Sequence, residues 1–290
     1  MEIRINTPRS LFVYVLLTAV RLGASEHSEP AETIKPDEKF PLGRRPSSLV
    51  SREYASLLWE DTRGILSSPL HWDRNAWSLA GGLTAATAAA AIFDGNIRRE
   101  AQTDRNHDGD VFFNQWQRFG AEYSFAVLGG FEAWGVIGNN PRARAVAMDG
   151  LTASIIADGI ITPALKYSIG RVRPNQTAAT FSFKPFSGHD SFPSGHVTQA
   201  FAVATVIASH YDDWWQQSLA YGTASLVVWG RIQQNRHFTS DVVAGAAVGW
   251  AVGRAVVRRH NIPHPVRVGD GRWTPWFDHG GGGLVYHRNF

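Results

Sequence analysis

From Arg52 onward the chain alternates long apolar segments with short polar ones. The apolar segments are long enough for helices, and the residue-by-residue alternation that marks a β-strand is nearly absent before residue 280. The segments cover residues 76–93, 116–137, 145–165, 197–209, 217–229 and 241–257. This pattern predicts an all-α fold, a bundle of about six helices in one domain at residues 51–260.

The N-terminal part of the chain has a different pattern. A basic start with Arg4 and Arg9 precedes an apolar run at residues 11–20, and small residues follow. The run is too short to span a bilayer, which needs about 20 apolar residues, and is typical of a secretory signal peptide. We predict a signal peptide at residues 1–24 and export to the periplasm, with an uncleaved anchor as the alternative. Prolines and mixed charges predict a disordered leader at residues 25–50.

The C-terminal tail, residues 261–290, is rich in proline, tryptophan and glycine and ends in a short β-like run at Phe290. A terminal phenylalanine after such a run is typical of the last strand of outer-membrane barrels, but one strand cannot form a barrel. We therefore expect an irregular tail, either a hairpin or a loose segment lying on the helices.

The lengths of two apolar segments argue against a bundle inside the membrane. Segments 197–209 and 217–229 have 13 residues each, about 20 Å of helix against a hydrocarbon core of about 30 Å. Two other segments carry acidic side chains that are costly in lipid: Glu122, Glu132, Asp149 and Asp158. We expect a periplasmic bundle that rests on the membrane or is soluble. An integral membrane bundle stays open as the alternative, because several segments are rich in glycine and alanine.

Composition excludes several classes of protein. The chain has no cysteine, which excludes disulfides, thiolate catalysis and cysteine-ligated metals. The 28 basic residues exceed the 25 acidic ones only slightly, for a formal net charge of +3. Most of this excess lies in the predicted signal peptide, so we expect no nucleic-acid partner.

A cluster of polar residues around His237 combines groups suited to phosphate chemistry. His237 and Asp241 are four residues apart, so a helix would place them on one face. A carboxylate beside an imidazole fixes its tautomer and makes the other ring nitrogen more basic. Arg231, six residues earlier, can offer a planar fork to phosphate oxygens. Taken alone, the pattern is better explained as a surface ion pair.

Two further blocks carry similar chemistry. Ser194 and Gly195 lead into an apolar helix, whose first amides can bind an anion, and His196 at that helix start can donate a proton to a leaving group. Lys166 and Arg173 are seven residues, about two helical turns, apart. We expect Arg171 to lie off their face, either behind the site or in solvent. Either block alone could be purely structural.

Together the three blocks contain what metal-free phosphoryl transfer requires: cations, an imidazole nucleophile and an opposing acid. Residues 166–174 fit Lys-x6-Arg-Pro, residues 193–196 are Pro-Ser-Gly-His, and residues 231–241 fit Arg-x5-His-x3-Asp. In this order the chain resembles, over residues 145–257, the type 2 phosphatidic acid phosphatase (PAP2) superfamily, which also contains bacterial acid phosphatases and vanadium haloperoxidases. It departs from the pattern at Gly230, where the third block usually has serine.

The resemblance implies a role for each matching residue. His237 would attack phosphorus and form a phospho-histidine, Asp241 would orient His237, and His196 would protonate the leaving oxygen and then activate water. The phosphate would be bound by Lys166, Arg173, Arg231, Ser194 and Gly195. The resemblance implies no metal and no cofactor, although vanadate or phosphate could occupy the site. It also implies an α-helical bundle with the site at one end.

The substrate class expected from the resemblance is a lipid phosphate or pyrophosphate, with soluble organic phosphates as a second candidate. The alternatives are a vanadium-dependent haloperoxidase and a catalytically silent membrane or scaffold protein that retains the motifs. The presence of every catalytic residue argues against the silent protein. The sequence predicts no particular oligomeric state.

One further motif resembles a calcium loop. Residues 104–110 place acids or an amide at loop positions 1, 3, 5 and 7, with glycine at position 6. The twelfth position is Gln115 instead of a bidentate glutamate, so the ligand set is incomplete. We therefore predict a polar turn between helices here. A separate pair of polar residues, His189 and Asp190, lies just before the second block and could contact the site rim or the substrate.

Overall fold

The computed structural model describes residues 45–46 and 48–261, together with the backbone of residues 272–278 and 281–287. The predicted signal peptide at residues 1–24 lies outside the described residues, and so do residues 25–44 of the predicted leader.

Eight helices follow one another between residues 52 and 261. They are α1 (Arg52–Ser67), α2 (Arg74–Thr103), α3 (His107–Trp116), α4 (Glu122–Ile137), α5 (Pro141–Ile169), α6 (Gly195–His210), α7 (Trp214–Gln233) and α8 (Thr239–Asn261). The middle of α5, Ile155–Ile161, is π-helical, and a 3₁₀ turn, Gln117–Gly120, precedes α4. The prediction of an all-α fold is confirmed, since no strand lies within residues 48–261.

Five of the six apolar segments lie within a single helix, the segment 116–137 runs from the last residue of α3 through the 3₁₀ turn to the end of α4, and the structure adds α1 and α3. These two were missed because α1 intersperses its apolar residues with charges and α3 is short and polar. The Asn106 side chain accepts from the Gly109 amide at 2.8 Å and so begins α3. The turn predicted at residues 104–110 therefore ends at Asn106, and the next four residues are helical.

Close packing of α6 on α8 sets the geometry of one end of the bundle. A Cβ on Gly245 would lie 2.6 Å from the Ser194 carbonyl oxygen, and one on Gly249 would clash with the Thr198 carbonyl oxygen. Glycine at both positions lets the two backbones touch. The start of α6 is thereby held against the start of α8.

The turn after α5 requires glycine for a different reason. Gly170 ends the helix with φ 60°, in the left-handed region, and its amide donates to the Lys166 carbonyl at 2.8 Å. A Cβ at this position would also clash with the Lys184 carbonyl oxygen. This turn directs the chain from Lys166 back across the end of the bundle.

The described part of the C-terminal tail forms a hairpin, one of the two forms expected for it. Strands β1 (Arg272–Asp278) and β2 (Gly281–His287) pair antiparallel, with Arg272 opposite His287 and Asp278 opposite Gly281.

Among the described residues, three helices are long and apolar enough to cross a membrane: α2, α5 and α8. Two acids argued against placing α5 in lipid, and one of them, Asp149, is fully buried inside the bundle. There it accepts two hydrogen bonds from Arg45, at 2.8 and 2.6 Å, and one from His210 at 2.8 Å. A carboxylate paired in this way does not face lipid, so Asp149 is no objection to a membrane-spanning α5, whereas Asp158 lies in the same helix and is only partly buried.

Candidate active site

The three sequence blocks meet at one end of the bundle, where α5 and α7 end and α6 and α8 begin. The Ser194 amide donates to the Asp241 carbonyl at 3.0 Å, which joins the second block to the third. Beside this junction lies an open cleft of about 600 Å³, whose lining includes Arg173, His196 and Arg231. One residue from each block therefore faces a single cavity.

His237 is held by a backbone carbonyl and has no direct hydrogen bond to the expected carboxylate. Its Nδ1 lies 2.7 Å from the Ser191 carbonyl oxygen and 3.8 Å from Asp241 Oδ2. His237 precedes α8, so the two side chains do not share a helix face as the spacing suggested. The expectation of a direct hydrogen bond between His237 and Asp241 is therefore wrong. The Ser191 carbonyl fixes the tautomer of His237, with the proton on Nδ1.

Asp241 is connected to His237 through neighbouring residues. Asp241 Oδ2 accepts from the Ser191 hydroxyl at 2.6 Å and from the Phe238 amide at 2.8 Å. These bonds constrain Ser191, which contacts the imidazole, and Phe238, which follows His237 in the chain. Asp241 therefore orients His237 through Ser191 and Phe238.

Arg171 lies behind the site in a buried ion-pair network, and the suggestion that it faces solvent is wrong. Its two terminal nitrogens donate to Asp241 at 2.6 Å and to Asp94 at 2.8 Å. Asp94, in the middle of α2, also accepts from the Ser240 amide at 2.9 Å and from its hydroxyl at 2.6 Å. All four residues are buried, so the network supports the start of α8 from behind.

Sequence reasoning missed Asp94, Ser191 and Ser240. The sequence did contain a signal for Asp94. It directly follows the apolar run 76–93 and is the only charged residue between positions 76 and 95. No local pattern marks the two serines, because their partners come from distant parts of the chain.

The cations of the site are positioned by neutral and acidic partners. Arg173 binds both carboxylate oxygens of Asp190, at 2.7 and 2.5 Å, and the Lys166 ammonium donates to the Asp190 carbonyl. Arg231 donates to Gln117 Oε1 at 2.5 Å. Burial would raise the pKa of Asp190, but the hydrogen bonds and charge of Arg173 lower it below its usual value. Asp190, which the sequence placed at the rim, thus aligns two cations of the site.

The start of α6 offers several hydrogen-bond donors. Its first helical bond runs from the Thr198 amide to the Ser194 carbonyl at 2.9 Å, so the helix leaves the preceding amides unused. The buried Ser194 hydroxyl has no hydrogen-bond partner among the described residues. A Cβ on Gly195 would lie 2.8 Å from Asp158 Oδ1, so glycine keeps this turn tightly packed. Such a helix N-terminus is suited to bind an anion.

Both histidines are held in their neutral form. Burial lowers the pKa of His237 to about 4, against the opposing effect of Asp241, and Arg231 lowers it further. Burial and the charge of Arg231 lower the pKa of His196 to about 3. Burial, with Arg173 and Arg236, lowers the pKa of Arg231 to about 10. These shifts describe a strongly positive, partly dehydrated site that favours an anionic ligand.

Comparison with known proteins finds similarity to one family. Residues 150–263 match the family model of the PAP2 superfamily, and the resemblance inferred from the three blocks is confirmed. The chain is similar to the lipid A 1-phosphatase of Porphyromonas gingivalis, 37% identical over 44% of this chain and 25% of that relative. It is also similar to the lipid A 1-phosphatase of Rhizobium etli, 35% identical over 34% of this chain and 44% of the relative. The chain spans less than half the length of these relatives.

Two solved structures are also similar. The crystal structure of Aquifex aeolicus LpxE is 24% identical, with a TM-score of 0.44, over 56% of this chain and 93% of that one. The transmembrane PAP2 type phosphatidylglycerolphosphate phosphatase from Bacillus subtilis is 20% identical, with a TM-score of 0.48, over 74% of this chain and 98% of that one.

Proposed function

We propose that this chain, with its PAP2 match at residues 150–263, is a membrane-associated phosphatase that hydrolyses lipid phosphates through a phospho-histidine at His237. The observation that carries the proposal is the 2.7 Å contact of His237 Nδ1 with the Ser191 carbonyl. A carbonyl can only accept, so Nδ1 carries the proton and Nε2 keeps its lone pair. A buried imidazole of fixed tautomer beside several cations is a suitable nucleophile for phosphorus.

The reaction has two balanced steps. In the first, His237 Nε2 forms a bond to phosphorus while the bond from phosphorus to the leaving oxygen breaks, and His196 gives that oxygen a proton. In the second, a water attacks phosphorus, His196 takes its proton, and the N–P bond breaks to release phosphate. Lys166, Arg173 and Arg231 stabilise the charge on the three remaining oxygens, assisted by Ser194 and the Gly195 amide. These residues supply all the charge and proton transfer required, so we propose a metal-independent reaction.

The substrate is proposed to be a phosphorylated lipid. The three candidate spans support membrane association, and the relatives from P. gingivalis and R. etli are lipid A 1-phosphatases. A phosphorylated glycolipid of this kind is therefore the leading substrate, ahead of soluble organic phosphates. With the site at one end of the spanning helices, we propose that it faces the periplasm.

Replacement of His237 by alanine tests this proposal. Phosphate release from lipid phosphates by the detergent-purified protein should fall at least about a thousandfold, because the nucleophile is lost. His196→Ala should slow both steps, and a quench with labelled substrate should recover acid-labile phosphate on wild-type protein but none on His237→Ala. His71→Ala, which removes an exposed histidine between α1 and α2, is the control and should behave as wild type. Full activity of His237→Ala, or a requirement for added divalent metal, would contradict the mechanism.

A further inference from the structure

The cleft lined by two of the proposed phosphate-binding residues extends to a second set of cations. Its lining continues from Arg173 and Arg231 to Arg105, Arg118 and Arg236, which we call the outer arginines. They come from the turn before α3, the 3₁₀ turn before α4 and the turn between α7 and α8. The proposed hydrolysis uses none of them.

The size and charge of the cleft exceed what one phosphate needs. Its volume of about 600 Å³ lies within the range of about 300–1,000 Å³ found for sites of drug-sized ligands. Five arginines line it against two acids, Asp110 and Glu122. The cavity thus has room for a headgroup and a surplus of positive charge beyond the reacting phosphate.

The backbone of Arg236 is held in place next to the nucleophile in the chain. Asn235 adopts φ 55° in the left-handed region, and its side chain accepts from Arg98 Nε at 3.1 Å. The amides of Arg236 and His237 both donate to the Arg231 carbonyl, at 3.1 and 3.3 Å. This tight turn places the exposed Arg236 between a phosphate-binding arginine and the nucleophile, and its side chain lies on the cleft wall.

The outer arginines differ in how far their charge is neutralised. Arg105 binds both oxygens of Asp110 at 2.9 Å, and Arg118 lies 3.6 Å from Glu122. Arg236 makes no ion pair with any carboxylate in the described part of the chain. The unneutralised charge of the outer cleft is therefore centred on Arg236, with the Arg105 guanidinium beside the same cavity.

We propose that Arg236 forms a second anion subsite that binds another phosphate, or a similarly charged group, on the headgroup whose first phosphate is cleaved. The proposal rests on the proposed function and narrows its substrate class to glycolipids with two anionic groups. Binding of the second group occurs before and during reaction alike, so it should lower KM and leave kcat nearly unchanged.

A matched pair of substrates tests the subsite. The first is a diglucosamine lipid with two phosphates, and the second is the same lipid with only the scissile phosphate, both in identical micelles. Arg236→Gln should raise KM for the bisphosphorylated lipid about tenfold, the effect of one charged hydrogen bond, with kcat within about twofold. KM for the monophosphorylated lipid should stay within about twofold. Arg52→Gln, at the exposed start of α1, is the control.

Equal changes on both lipids, or none on either, would overturn the subsite. A parallel measurement uses His237→Ala protein and compares the Kd of the two lipids with and without Arg236→Gln, so it needs no turnover. If wild-type protein releases phosphate from neither lipid, the proposed function fails. The subsite then stands only if the bisphosphorylated lipid still binds more tightly in a manner that depends on Arg236.

Discussion

At the scale of single residues, the main feature of the site is the indirect coupling of His237 to Asp241. Ser191 makes both bonds of this coupling, with its carbonyl to His237 at 2.7 Å and its hydroxyl to Asp241 at 2.6 Å. The imidazole is thus oriented by a neutral dipole, and the carboxylate acts on the backbone that carries this dipole. Ser191 is accordingly a positioning residue.

Ser191→Ala keeps the carbonyl but removes the bond to Asp241. We expect kcat to fall about tenfold, the effect of one charge-assisted hydrogen bond, while KM changes little. The acid limb of the pH profile should also shift, because a less constrained imidazole changes its pKa; a merely structural defect would not produce this shift. Ser187→Ala removes an exposed hydroxyl from the same loop and serves as the control. Wild-type kcat and an unchanged acid limb in Ser191→Ala would disprove the coupling.

The two histidines predict the pH dependence. Attack needs neutral His237, whose pKa is lowered to about 4, so kcat/KM should fall only as pH drops through about 4. Donation needs protonated His196, whose pKa is lowered to about 3. A bound phosphate dianion must therefore raise the pKa of His196, and the alkaline limb of kcat should report the raised value.

A substrate comparison isolates the acid. Nitrophenyl phosphate has a leaving group that departs without a proton. The fall of kcat at alkaline pH should therefore be weaker with nitrophenyl phosphate than with an alkyl phosphate. His196→Gln should likewise slow the nitrophenyl ester much less. Profiles of identical shape for both esters would remove His196 from the role of acid.

At the scale of helices, contact between α6 and α8 brings the second block to the third. We expect Gly249→Ala to force the helices apart at Thr198 and to lower the free energy of unfolding by about 1–3 kcal/mol. Activity should fall as well, because the start of α6 moves away from Asp241. Gly222→Ala is the matched control: its Cβ meets nothing within 4 Å on α7, and alanine there should stabilise the helix slightly. Thermal unfolding in detergent measures both, and equal stability of the two variants would refute the packing argument.

The helices also explain what could be predicted from sequence. Apolar periodicity identified α2 and α4–α8, because each is long and apolar along its length. The motif blocks identified His196, His237 and the cations, since their spacing is local. The support from Asp94 and Ser191 could not be predicted: Asp94 meets Arg171, 77 residues away, and periodicity does not reveal which ends of two helices meet. The same limit left Arg171 open between a place behind the site and solvent, and it produced the wrong expectation of a direct His237–Asp241 hydrogen bond.

At the scale of the whole molecule, the distribution of apolar surface favours a bundle that enters the membrane. None of the most apolar window of α2 is buried inside the protein, and Ile92 and Phe93 are exposed beside the buried Asp94. Large apolar side chains exposed along a 30-residue helix are unfavourable in water but suited to lipid. The periplasmic bundle resting on the membrane, favoured by the short segments 197–209 and 217–229, is therefore replaced by a proposal in which α2, α5 and α8 span the bilayer.

The absence of cysteine from the sequence makes this arrangement directly measurable, because any introduced thiol is the only one. A membrane-impermeant maleimide applied to right-side-out vesicles should label Asn114→Cys, in the cleft wall, if the site faces the periplasm as proposed. Asp212→Cys follows the opposite end of α6 and should be labelled only in inside-out vesicles. Ile92→Cys, on a side chain that is 74% exposed, should resist labelling in both because lipid covers it. Labelling of Ile92→Cys from either side would show that α2 is exposed to water. Labelling of Asp212→Cys in right-side-out vesicles and of Asn114→Cys only in inside-out vesicles would show that the site faces the cytoplasm.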